Sequence, residues 1–93
     1  MMTDKERDIC IKAVMHFGAE NQLLQACEEL SELMQAISKA KRYTGQSYID
    51  GVAEELADVE IMCEQIKVIF NISNTDVENE RERKIKRLRN LIK

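Results

Sequence analysis

Two short acidic groups carry the chemistry this chain could do: Glu28-Glu29-x-x-Glu32 and Glu55-x-x-Asp58. Both stand in runs free of Gly and Pro whose pattern is helical. Residues three apart on an α-helix share nearly the same face, so Glu29 with Glu32, and Glu55 with Asp58, each aim two carboxylates in one direction. Two such helices packed antiparallel would bring four carboxylates to one point. That cluster repels itself unless a cation neutralises it, and an all-oxygen ligand set suits Mg²⁺ or Mn²⁺. Glu28 is rotated from Glu29 by about 100° and is given a supporting role. Gln22 and Gln25 stand up to two turns before Glu29 and face the same way, and the plain reading of them is ordinary surface glutamine.

The elements that must position these residues are helices. The chain has 93 residues, 44% hydrophobic and 33% charged, with no Pro, no Trp and three Gly. This composition fits one all-α domain spanning residues 1–93, not a disordered chain or a β-sandwich. Thr3 with Glu6 has the form of a capping box, opening a helix from about Asp4 to Met15 that turns Ile9, Cys10, Ala13 and Phe17 inward. A second helix is expected from Glu20 to Lys41, its seam made by Leu23, Cys27, Leu30, Met34 and Ile37. A loop follows from Tyr43 to Tyr48. A third helix runs from about Asp50 to Phe70, with Val52, Leu56, Val59, Cys63, Ile66 and Phe70 as its seam and Glu55, Asp58, Met62 and Gln65 alongside. Asn71 to Asn74 breaks the pattern, and a fourth helix begins near Thr75, where pairing with Glu78 would form a second capping box. The expectation is four helices, with the acidic stripes beside the packing seams.

Charge is unevenly spread. Ten acidic residues between Ala19 and Glu64 face only Lys39, Lys41 and Arg42, whereas Asp76 to Lys93 holds seven Lys or Arg against four acids. An acidic body argues against a nucleic-acid polymer as partner. Cys10, Cys27 and Cys63 have no CxxC spacing and are read as reduced core thiols. No apolar run reaches the length of a membrane span and no signal peptide is visible, so a cytoplasmic protein is expected. The single histidine, His16, excludes a di-iron bundle built on paired Glu-x-x-His motifs.

Glu28-Glu29-x-x-Glu32, 22 intervening residues, then Glu55-x-x-Asp58, resembles the EExxE…ExxD signature of the MazG-like nucleotide pyrophosphohydrolases, in the all-α NTP pyrophosphatase superfamily. Glu20-Asn21-Gln22-Leu23-Leu24 and Leu56-Ala57-Asp58-Val59 extend the likeness, which covers about Phe17 to Lys93. The resemblance implies that Glu29, Glu32, Glu55 and Asp58 bind Mg²⁺. It also implies hydrolysis of a nucleoside triphosphate to monophosphate and pyrophosphate, with Glu29 or Glu32 handling the attacking water and Gln22 and Gln25 as candidates to meet the base or ribose. Lys84 and Arg87 resemble the family's Lys-x-x-Arg segment that contacts phosphates; the alternative is a snorkelling basic face. It further implies helices pairing across an interface in a homodimer or homotetramer. The rival reading is a non-catalytic helical interaction module whose acids are solvated.

Overall fold

A computed structural model describes residues 2–93 as four helices with no strand among them: α1 (Asp4–Phe17), α2 (Ala19–Arg42), α3 (Gln46–Ile69) and α4 (Asn74–Leu91). The domain is built on the antiparallel hairpin of α2 and α3, against which α1 lies, while α4 packs substantially on no other helix.

Local chemistry explains the boundaries. The Thr3 hydroxyl accepts from the Glu6 N–H at 3.1 Å and the Glu6 carboxylate accepts from the Thr3 N–H at 2.9 Å, the expected capping box. These two bonds hold the Glu6 carboxyl below its ordinary value. Gly18 alone joins α1 to α2, at φ +93°, a conformation that strains any residue with a Cβ. The loop before α3 is shorter than Tyr43–Tyr48. Gly45 caps the helix, Gln46 donates to Asp50 at 2.9 Å, and Tyr48 stacks on Tyr43 with ring centroids 5.3 Å apart. At the end of α3, Asn71 takes a left-handed φ of 53°. The N–H groups of Asn71 and Ile72 then return to the Val68 and Lys67 carbonyls in a Schellman motif. The fourth helix is capped by Ser73, whose hydroxyl accepts from the Asp76 N–H at 3.0 Å, and not by Thr75 with Glu78.

The packing corrects the sequence reading most sharply along the hairpin. The inward line of α2 is Gln22, Ala26, Glu29, Leu33, Ala36 and Ala40, and that of α3 includes Gly51, Glu55, Asp58, Met62 and Gln65. Most of the expected seam of α2 points out instead: Leu30, Met34 and Ile37 are 43%, 71% and 51% exposed and Cys27 is exposed with them, while Leu23 is half-buried. Of the expected seam of α3, Leu56, Cys63 and the capping Phe70 are exposed, whereas Val52, Val59 and Ile66 are half-buried. Small and polar residues therefore fill the contact inside the chain. In α1, Cys10 is buried and Ala13 partly so, but Ile9 and Phe17 face solvent. Of the three thiols only Cys10 is a core residue; burial first, then the charges of Glu64 and Glu6, push its pKa up. The apolar core is small: Cys10, Ala26 and Met62.

Two features of α3 have measurable consequences. Glu64 is buried, and its carboxylate is shared between Arg7 Nε at 3.1 Å and Lys67 Nζ at 2.7 Å, tying α1 to α3. Removing one cation leaves a buried charge half-compensated. Arg7→Ala should cost about 1–3 kcal/mol, the figure kept low because Arg7 is partly exposed; a lower urea midpoint at unchanged slope would register it. Gly51 sits in the second turn of α3, and a Cβ built there meets nothing within 4 Å. Gly51→Ala should therefore raise stability by about 0.5–1 kcal/mol in the same measurement, since the helix loses its most flexible link without a clash.

Candidate metal centre

Antiparallel packing sets the register of the hairpin. As α2 advances through Gln22, Glu29 and Glu32, α3 meets it in reverse with Gln65, Asp58 and Glu55. Gln22 donates to Gln65 at 2.6 Å in a buried amide pair at one end of this ladder. One turn on, Gln25 donates to Glu29 Oε1 at 2.8 Å. Glu29, Glu32 and Glu55 follow, each with a carboxylate oxygen within 4.8 Å of the others. Asp58 stands near enough to Glu29 for the two carboxyls to interact, but it is not one of the three acids whose oxygens converge.

The electrostatics of this group are those of acids held together without counter-charge. The Glu55 carboxyl is pushed above its ordinary value by desolvation first, then by Glu32, Asp58, Glu29 and Glu54. The Asp58 carboxyl is raised by desolvation, by the charge of Glu29, and by the hydrogen bond it donates to Glu29 when protonated. No Lys or Arg is among the groups that perturb either residue. Glu29 Oε2 and Glu55 Oε2 are both buried and have no hydrogen-bond partner among the described residues. An unpartnered carboxylate oxygen removed from water costs free energy, and two of them within a group of three close acids fit a hard cation with oxygen ligands. The donors are all carboxylate oxygens, the type a hard divalent cation takes.

Other candidate residues are placed differently. Glu28 is exposed and outside the cluster, consistent with its rotation from Glu29. Gln22 is turned into the interface by its bond to Gln65, whereas Gln25 touches the cluster by orienting Glu29. Lys84 and Arg87 are exposed on α4, where Lys84 lies near Glu80, and the fold of one chain does not bring them against the acids. Glu54 contributes to the field on Glu55, a role its position on the opposite side of the motif did not suggest. A separate open cleft of about 710 Å³ lies between α1, α3 and α4, lined in part by Arg7, Val59, Lys67 and Arg81, and it includes none of the clustered acids. The Arg7–Glu64 bond beside it spans 57 positions, a pairing for which helical periodicity gives no signal.

Among the described residues, no helix is long and apolar enough to cross a membrane. Comparison with protein-family models, with curated proteins and with solved structures finds no match to this chain.

Proposed function

We propose that this protein is a Mg²⁺-dependent nucleoside triphosphate pyrophosphohydrolase that releases a nucleoside monophosphate and pyrophosphate, and so cleans or regulates a nucleotide pool. The observation that carries the reading is the convergence of Glu29, Glu32 and Glu55 within 4.8 Å, two of their oxygens buried without partners. The resemblance of the two acidic motifs to those of the MazG-like enzymes supports the same chemistry.

Glu29, Glu32, Glu55 and Asp58 would hold Mg²⁺, with Mn²⁺ as substitute. When bound, the ion would neutralise charge developing on the pyrophosphate leaving group and lower the pKa of a water molecule. The chain's own residues supply positioning and proton transfer. Gln25 fixes the Glu29 carboxylate through Oε1, leaving the buried Oε2 without a partner. Glu32 is the exposed member of the group and accepts the proton of the attacking water, with Glu29 as the alternative base. The water oxygen bonds to the α-phosphorus as the bond to the α–β bridging oxygen breaks, and pyrophosphate departs with that electron pair. Lys84 and Arg87 would contact phosphate only if α4 moves or a neighbouring subunit supplies it.

Chromatographic analysis of products from common NTPs and dNTPs in Mg²⁺ tests the proposal. Monophosphate with pyrophosphate is expected. Diphosphate with phosphate would overturn the mechanism, and no turnover of any nucleotide would favour the interaction module.

A further inference from the structure

The acids of the hairpin lie between two ties. At one end the helices are joined covalently by the short connection of residues 43–45. At the open end Gln22 Nε2 donates to Gln65 Oε1 at 2.6 Å, and the two residues are only 9% and 4% exposed. Counted from that pair toward the connection, Glu29 and Asp58 each stand seven residues on, and Glu32 and Glu55 each ten. The amide pair and the two pairs of acids therefore share one register. Along α2, Glu32 is about 15 Å from Gln22 and about 15 Å from Arg42, midway between the ties.

A hairpin tied at one end alone can still splay and roll at the other. Repulsion among the acids favours splaying, since no Lys or Arg acts on Glu55 or Asp58 to offset it. Elsewhere the helices meet largely through the short side chains of Ala26, Ala36 and Ala40 and through Gly51, contacts that hold over a range of angles. The amide bond does not. Drawing the two amides apart by about 1 Å takes them past hydrogen-bond reach and leaves two buried polar groups unpaired. Outside the acids themselves, it is the one side-chain hydrogen bond or ion pair between α2 and α3 among the described residues. A buried polar pair in such a place fixes geometry more than it adds stability.

We propose that Gln22 and Gln65 are positioning residues, whose amide bond holds the open end of the hairpin at one separation and roll and so keeps Glu29, Glu32, Glu55 and Asp58 close enough to share a small divalent cation. This rests on the acidic group being the metal site proposed above. The glutamines are not ligands; they act through the acids. What they confer is a preference among ions. Mg²⁺ requires short bonds of about 2.1 Å in near-ideal geometry, whereas Ca²⁺ accepts longer bonds and a looser cage.

Calorimetric titration of the full chain with Mg²⁺ and with Ca²⁺ tests this, comparing wild type with the double variant Gln22→Met, Gln65→Met. Methionine is close to glutamine in length and leaves no amide unpaired, but it packs at a range of separations. Without metal the double variant should melt no lower than wild type. It should bind Mg²⁺ at least about tenfold more weakly and lose about tenfold in its preference for Mg²⁺ over Ca²⁺. Unchanged Mg²⁺ affinity in the folded variant would overturn the proposal, and so would an equal loss for both ions, the mark of a merely weakened fold. A double variant that does not fold would overturn it as well, because the pair would then be a source of stability and not of position. Wild-type protein that binds neither ion would overturn the metal site itself, and this proposal with it.

Discussion

Glu29→Gln is expected to lower the rate of pyrophosphate release by about a hundred- to ten-thousand-fold, while helicity and the resting melting temperature are preserved. Glu29 is the hub of the acidic group. It receives a hydrogen bond from Gln25, raises the pKa of Asp58 nearby, and has a carboxylate oxygen within 4.8 Å of those of Glu32 and Glu55. Glutamine keeps its shape but removes the negative charge and turns one oxygen into a donor. The cation then loses a strong ligand, and the remaining carboxylates lose a repulsive neighbour. The variant should therefore be no less stable than wild type in the absence of metal, and it should lose the Mg²⁺-dependent rise in melting temperature. Undiminished turnover in Glu29→Gln would remove this residue from the mechanism.

The second large effect concerns stability, metal and pH together. Saturation with Mg²⁺ at a hundred times its dissociation constant should stabilise the folded chain by about 2.7 kcal/mol. For a domain of this size that is about 10–20 °C in melting temperature. Without metal, acidification should also stabilise the protein. Glu55 and Asp58 have raised pKa values in the folded chain, so below those values the folded state holds protons that the unfolded state lacks. Stability then increases as pH falls through the raised values, and the gain is complete at the ordinary values of 4.5 and 3.8. Glu6 and Glu80 are shifted the other way; their contribution is present above 4.5 and is lost only as pH falls further, so it does not mask the gain above that point. Protons and cation compete for the same oxygens, and the Mg²⁺-induced shift should shrink across the same window. Melting curves at about pH 7.5 and about pH 5, with and without Mg²⁺, measure both effects. A metal-free protein that melts lower at about pH 5 would contradict this electrostatic account.

The helices and the acids were legible in the sequence because both depend on short-range spacing. Glu29 with Glu32 and Glu55 with Asp58 are three apart on uninterrupted helices, and Thr3 with Glu6 closes its cap locally. Which stripe packs within the chain was not legible. Periodicity picks out the most apolar line of each helix, here Leu23 to Ile37 and Val52 to Phe70, as the one to bury. It does not say whether burial is against the same chain or another. Inside the hairpin Ala26, Ala36, Ala40 and Gly51 keep side chains short, and the buried Gln22–Gln65 pair satisfies its own polar groups. A line of Gln, Glu and Ala reads as solvated until its partner helix is known. The same exchange turned the acids from residues beside a seam into part of the contact between α2 and α3, which is why two of their oxygens are buried.

The start of α3 and the cap of α4 were misplaced for a different reason. Ser73 and Thr75 are equivalent capping residues by type, and only the backbone selects Ser73, directly after the Schellman turn at Asn71 and Ile72. Lys84 and Arg87 show the limit of carrying over a motif. They belong to a helix that buries no residue in its own chain, so their partners are not set by the fold of one protomer.

Uptake of Mn²⁺ by the protein without nucleotide, followed by electron paramagnetic resonance of the free ion, tests the central claim most directly. Wild type should remove Mn²⁺ from solution, excess Mg²⁺ should return it, and Glu55→Gln should abolish the uptake while keeping the helical fold. Uptake that is absent in wild type at millimolar Mn²⁺, or unchanged in Glu55→Gln, would contradict it.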